Sequence, residues 1–195
     1  MQRSGNGHKR VKKMDIQEGN MSSYIERIKQ SALLNSAVYE EVEADESAML
    51  QAMGVVVLSS IAGGIGSVYQ FGLSGIITGA ISALASWFVW AYAVYFIGAK
   101  ILPEPSTEAN PGQLLRTLGF ASSPGLIRVL GIIQGLGMVV AVIASLWMLV
   151  AMVIAVRQAL DYKSTVRAVV VCLIGWILFW LAAMVIYAIF GAGGN

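Results

Sequence analysis

Between Glu46 and Glu104 the chain has no acidic residue, and Lys100 is the only base. A charge-free run of that length offers water no polar face, so it reads as membrane-spanning structure rather than as the interior of a soluble domain. In hydrocarbon every backbone N–H and C=O must be paired within the chain, which leaves helices and closed barrels. No strand alternation is present, so an all-α integral membrane protein is expected. Composition agrees: 57% of the 195 residues are hydrophobic and 12% charged, where a soluble domain carries about a quarter charged.

Three regions are expected. Residues 1–20 are polar and basic, with Arg3, Lys9, Arg10, Lys12 and Lys13, and read as a mobile tail on the side of synthesis. No leader is expected, since the first long apolar run starts near Met49. Residues 21–48 read as a cytoplasmic segment. "SSYIERIKQSALL" places Ile25, Ile28, Ala32 and Leu33 along one side of a short amphipathic helix, with Ser22 as its cap candidate. The acids Glu40, Glu41, Glu43, Asp45 and Glu46 follow. Asp45 can cap the next helix, with Glu46 at its N-terminal dipole. Alternatively Tyr39, Glu40 and Asp45 belong to a docking site for a basic partner.

Residues 49–190 hold the spans. Met49–Gln70 and Gly75–Gly98 are the first two, joined by the tight link "FGLSG". Small residues, among them Ala62, Gly63, Gly66, Gly75 and Gly79, let backbones approach and suggest self-association as a homo- or hetero-oligomer. Trp87, Trp90, Tyr92, Tyr95 and Phe96 read as an interfacial aromatic belt, with a ligand cage as the sharper alternative. After the polar loop "KILPEPSTEANPGQ", Gly137–Val156 and Ala168–Phe190 are two further spans.

The stretch between them, Leu114–Leu136, decides the topology. If it does not cross, the loop with Arg157, Lys163 and Arg167 falls opposite the N-terminal arm, against the positive-inside bias. If it crosses, Lys100, Arg116, Arg157, Lys163 and Arg167 share one face, and the other links carry no charge. Five spans with the N-terminus cytoplasmic and the C-terminus outside follow, in the cell's cytoplasmic (inner) membrane. The third span is short and broken at Pro124, which suits a first helical turn, and "LLRTLGF" is expected as a separate interfacial helix before it. Arg128, one turn inside, is either a headgroup contact at the cytoplasmic entrance or a snorkelling depth anchor. Asp161 stands four residues after Arg157, a spacing for an ion pair; a partner contact is the other reading.

The spans contain no Asp, Glu or His, and His8 is the single histidine. No metal site, catalytic triad or acid pair can be assembled from them, so neither catalysis nor a cofactor is expected. Cys172 is alone, which excludes a disulfide within the chain. Membrane lipids and a cytoplasmic protein are the expected partners, and nucleic acid is not. A small uncoupled pore lined by Ser67, Gln70 and Gln134 is the alternative.

"VYEEVEADESAMLQA", "LLRTLGFASSPGL" and "LVAMVIAVRQALDYKSTVRAV" resemble, in order and spacing, the Yip-type (Ypt/Rab-interacting) membrane proteins, in particular their bacterial and archaeal branch. Gly119, Phe120 and Pro124 are similar to the glycine–aromatic–proline element of eukaryotic members. The eukaryotic Asp-Leu-x-Gly-Pro stretch has no counterpart, so GTPase binding is not carried over. The resemblance implies a five-span domain with a cytoplasmic N-terminus that binds partners or shapes the bilayer. Arg116, Arg128, Arg157 and Asp161 join Tyr39, Glu40 and Asp45 as candidate contacts, with Gly119, Phe120 and Pro124 structural.

Overall fold

The computed structural model describes residues 23–190, and they are helical without strands. The basic tail, the Ser22 cap and the terminal "GAGGN" lie outside the described residues. Helix α1 (23–32) and α2 (Ser36–Ala44) form a hairpin, with Asn35 accepting from the Ala37 N–H to start α2. Asp45 caps the 3-10 turn Glu46–Ala48 by accepting from the Ser47 N–H at 3.0 Å, and Glu46 stands in that first turn.

That turn leads into α3 (Met49–Gly66), which ends earlier than the expected Gln70. Ser67 interrupts it, and the four residues of α4 (Val68–Phe71) turn the chain to Gly72, whose φ of +66° suits glycine. Helix α5 (Ser74–Tyr95) continues as a π-helical turn, Phe96–Ile101. Helices α7 (Gly137–Ala159) and α8 (Thr165–Phe190) complete the long elements. Among the described residues, three helices are long and apolar enough to cross a membrane: Glu46–Gly66, Ser74–Ile101 and Gly137–Ala159. The part of α8 with described side chains, Thr165–Leu181, is apolar but shorter.

The third segment differs most from expectation. Helix α6 (Pro111–Phe120) starts ahead of "LLRTLGF", because Asn110 and Gln113 form a reciprocal capping box around Pro111 at the first turn. Its residues from Leu114 to Phe120 are all buried, and a Cβ on Gly119 would lie 2.7 Å from that of Ala52, so α6 packs closely on α3. After it, Ser123–Ile132 is a 3-10 helix with Pro124 at its start. Ten residues at the 3-10 rise cover about 20 Å, a third more than an α-helix would. The short stretch therefore travels further than its residue count suggests.

Glycine contacts fix the register. Gly119 lies on Ala52, Gly125 against Ser59, and Gly66 against Arg128 and Gly131, so α6 and the 3-10 helix run parallel to α3. Helix α5 returns antiparallel, with Gly64 on Ile76 and Gly79 facing Ser60. Helix α7 descends beside the 3-10 helix, where Met148 meets Gly125, and α8 ascends along α5, where Gly175 meets Trp90. The core centres on Val42, Ala52, Val55, Leu114, Phe120 and Ala155. The face of Gly63 and Gly66 expected to mediate self-association is occupied within the chain.

Candidate functional site: the charged end of the bundle

The end of the bundle formed by α1, α2 and the links 101–110 and 160–164 gathers nearly all described charges. Arg27 projects from α1 to Glu41 at 2.8 Å, to Asp45 at 2.8 Å, and to the Gln51 side chain at 2.9 Å, binding both ends of the acidic segment. Accordingly the face of α1 turned inward is Tyr24, Arg27, Ile28 and Ser31, while Ile25 and Leu33, expected on that face, are exposed. Tyr39 is fully buried and donates to the Ser31 carbonyl at 3.0 Å, and burial raises its hydroxyl pKa. Hydrogen bonds from Ser47 and the nearby Arg27 hold the Asp45 carboxyl below its ordinary range. Glu40 is exposed and accepts from the Gln158 amide at the end of α7.

Arg116 is buried within α6, only 6% exposed. Its guanidinium donates from Nε to the Val42 carbonyl at 2.9 Å and from Nη2 to the Glu43 carbonyl. These are among the last carbonyls of α2, which have no partner inside that helix, and a cation there suits the helix dipole. Arg116 is thus a clamp between two helices rather than an exposed contact.

The links around Asp161 are tied as well. Asp161 makes no ion pair among the described residues; the expected partner Arg157 donates instead to the Tyr162 carbonyl at 3.2 Å. Asp161 occupies the left-handed position (φ +52°) that closes α7, with Tyr162 N–H returning to the Arg157 carbonyl and Asp161 N–H to that of Gln158. Glu104 accepts from the Lys163 N–H at 3.0 Å and pairs with Arg167 at 3.4 Å, while Ser106 donates to the Asp161 carbonyl. The Tyr162 hydroxyl sits 2.9 and 2.8 Å from the Gly98 and Leu102 carbonyls, groups exposed by the π-helical turn.

Glu43 was expected only as one of the acidic run, with no role of its own. It accepts from the Gln113 amide at 3.0 Å. Burial, reinforced by the charges of Asp161 and Glu40 and opposed by Arg116, pushes its pKa from 4.5 up to about 7. Folding therefore favours the protonated carboxyl: its contribution is complete below about 4.5 and is lost as pH rises through 7. Glu43→Gln should melt above the native chain at pH 8.5, with the difference shrinking towards pH 5, as read by thermal unfolding in detergent.

Arg128 does not join this end. It lies beside Gly63, and its Nη2 meets the Met148 sulfur at 3.1 Å, midway along α7. The aromatic group of α5 divides in two. Phe88, Tyr92 and Phe96 face outward, whereas Trp87 donates to the Leu115 carbonyl at 3.1 Å and, with Trp90, lines a cavity of about 580 Å³. The i, i+3 spacing of Trp87 and Trp90 was the available signal for that division. Set against family models, curated proteins and solved structures, the chain matches none.

Proposed function

We propose that this chain is a non-catalytic, five-span membrane adaptor of the Yip type. It lies in the cell's inner or cytoplasmic membrane, with its N-terminus and charged end facing the cytoplasm and its C-terminus outside. It offers that end to a protein partner or to lipid headgroups. The observation that carries this reading is the immobilisation of the acidic segment. Ties from Arg27, Gln113, Arg116 and Gln158 fix it to α1, α6 and α7, while Glu40, Glu41 and Asp161 remain exposed. A fixed, partly acidic platform has already lost the conformational freedom that association otherwise costs.

The topology is supported by charge. Links 72–73 and 133–136, at the opposite end, are uncharged, while Lys100, Arg157, Lys163 and Arg167 share the platform end, as the positive-inside bias requires. The Yip assignment rests on the three quoted stretches. A Ser164→Cys, Cys172→Ala variant should react with an impermeant maleimide in inside-out vesicles and stay unreacted in sealed cells. Labelling in sealed cells rejects the orientation. Site-specific crosslinkers at Glu41 and exposed Ile25 should capture one defined partner or lipid in intact membranes. Recovery of uncrosslinked protein alone rejects the adaptor.

A further inference from the structure

The cavity between α5, α6, the 3-10 helix, α7 and α8 lies apart from the charged end and has its own chemistry. At about 580 Å³ it is within the range of small-molecule sites. Trp87, Trp90, Met148, Met152, Trp176 and Phe179 give it an apolar, largely aromatic wall. Two polar groups in that wall lack adequate partners. The Trp90 indole N–H is buried and bonded to nothing among the described residues. The Arg128 guanidinium has five N–H donors, and its one described side-chain contact is a thioether, a weak acceptor.

A cation among apolar side chains requires a counter-charge, and the described residues supply none there. The described acids, from Glu26 to Glu46, at Glu104 and Glu108, and at Asp161, belong to the other end. An anion brought from solution or from the bilayer supplies it. An inorganic ion would leave the aromatic wall uncovered and the Trp90 donor unpaired. An amphiphile answers all three features at once: an anionic oxygen on Arg128, an ester or phosphate oxygen on the Trp90 N–H, and an acyl chain along the tryptophans and methionines. The exposed apolar flanks of α5 and α8, including Phe88, Trp176 and Phe179, place the mouth of the cavity beside what would be bilayer hydrocarbon. We infer that this cavity binds one anionic phospholipid, with the phosphate held by Arg128.

Native mass spectrometry of the full-length detergent-solubilised protein tests this by titration with phosphatidylglycerol, phosphatidylcholine or inorganic phosphate. One phosphatidylglycerol should be retained about tenfold more tightly than phosphatidylcholine, because the two share the phosphate contact and the choline cation of the latter is repelled by Arg128. Arg128→Gln should abolish that preference, and Arg128→Lys should keep part of it. Equal retention of the two lipids overturns the inference. So does inorganic phosphate that binds at the same stoichiometry and displaces the lipid, which would make the cavity a free-anion site. If Arg128→Gln fails to fold, Ser86→Phe, which fills the cavity and leaves the guanidinium intact, decides. Loss of the tight lipid supports the site, and undiminished retention overturns it.

Discussion

Arg116→Ala should loosen the C-terminal end of α2. The substitution removes the donors to the Val42 and Glu43 carbonyls and leaves both facing a buried methyl group. Hydrogen bonds to a charged group contribute about 1.5–3 kcal/mol each, and stranded buried acceptors cost a similar amount. A loss of about 3 kcal/mol or more is therefore expected, which loosens the C-terminal end of α2 while Arg27, Gln113 and Gln158 still hold the acidic segment. Hydrogen exchange of amides 36–48 should accelerate strongly, with slower change in α7. Arg116→Lys keeps the charge but not the two-pronged geometry, so an intermediate effect is expected. If Arg116 were instead an exposed partner contact, the alanine variant would leave exchange and melting untouched and impair only association. The two outcomes are cleanly distinct.

Much of this arrangement is legible in the residues. The separation of charged from charge-free segments points to a bundle with one polar end, because a buried charge needs a partner or water. The small-residue run around Gly63 and Gly66 points to close backbone approach. What the residues do not reveal is which backbone approaches. Sequence suggested a second copy; the structure places the chain's own 3-10 helix there. The role of Arg116 was hidden for a related reason. An arginine in "LLRTLGF" looks like an interfacial charge until the open carbonyls of α2, seventy residues earlier, are placed beside it. Helical spacing suggested an ion pair for Asp161, but the chain leaves α7 at that residue and no such pair with Arg157 forms among the described residues. Arg128 was read by its distance from Pro124 along an α-helix, whereas the 3-10 rise carries it deeper. A local rule assigned the cap at Asp45, where partner and residue are close in sequence. Local rules were silent where the partner is distant.

The second large effect is expected at Gly66. A Cβ there would overlap the Arg128 carbonyl oxygen and approach the Gly131 α-carbon at 3.5 Å. Both obstacles are backbone, so no side chain can swing aside, and the 3-10 helix itself must move away from α3. Gly66→Ala gains up to about 1 kcal/mol of intrinsic helix propensity. Overpacking of this kind nevertheless costs about 1–3 kcal/mol, and displacing a whole segment places it at the upper end. A fall in melting temperature of about 3–10 °C should follow for a chain of this size. Gly79→Ala is the matched control in α5: its Cβ would meet only the Ser60 hydroxyl, at an ordinary 3.8 Å. It should keep the propensity gain and melt at or slightly above the native temperature. Equal behaviour of the two variants would mean that α3 and the 3-10 helix do not touch at Gly66. The parallel register that carries Arg128 to the cavity depends on that contact, so the site inferred there would fail with it.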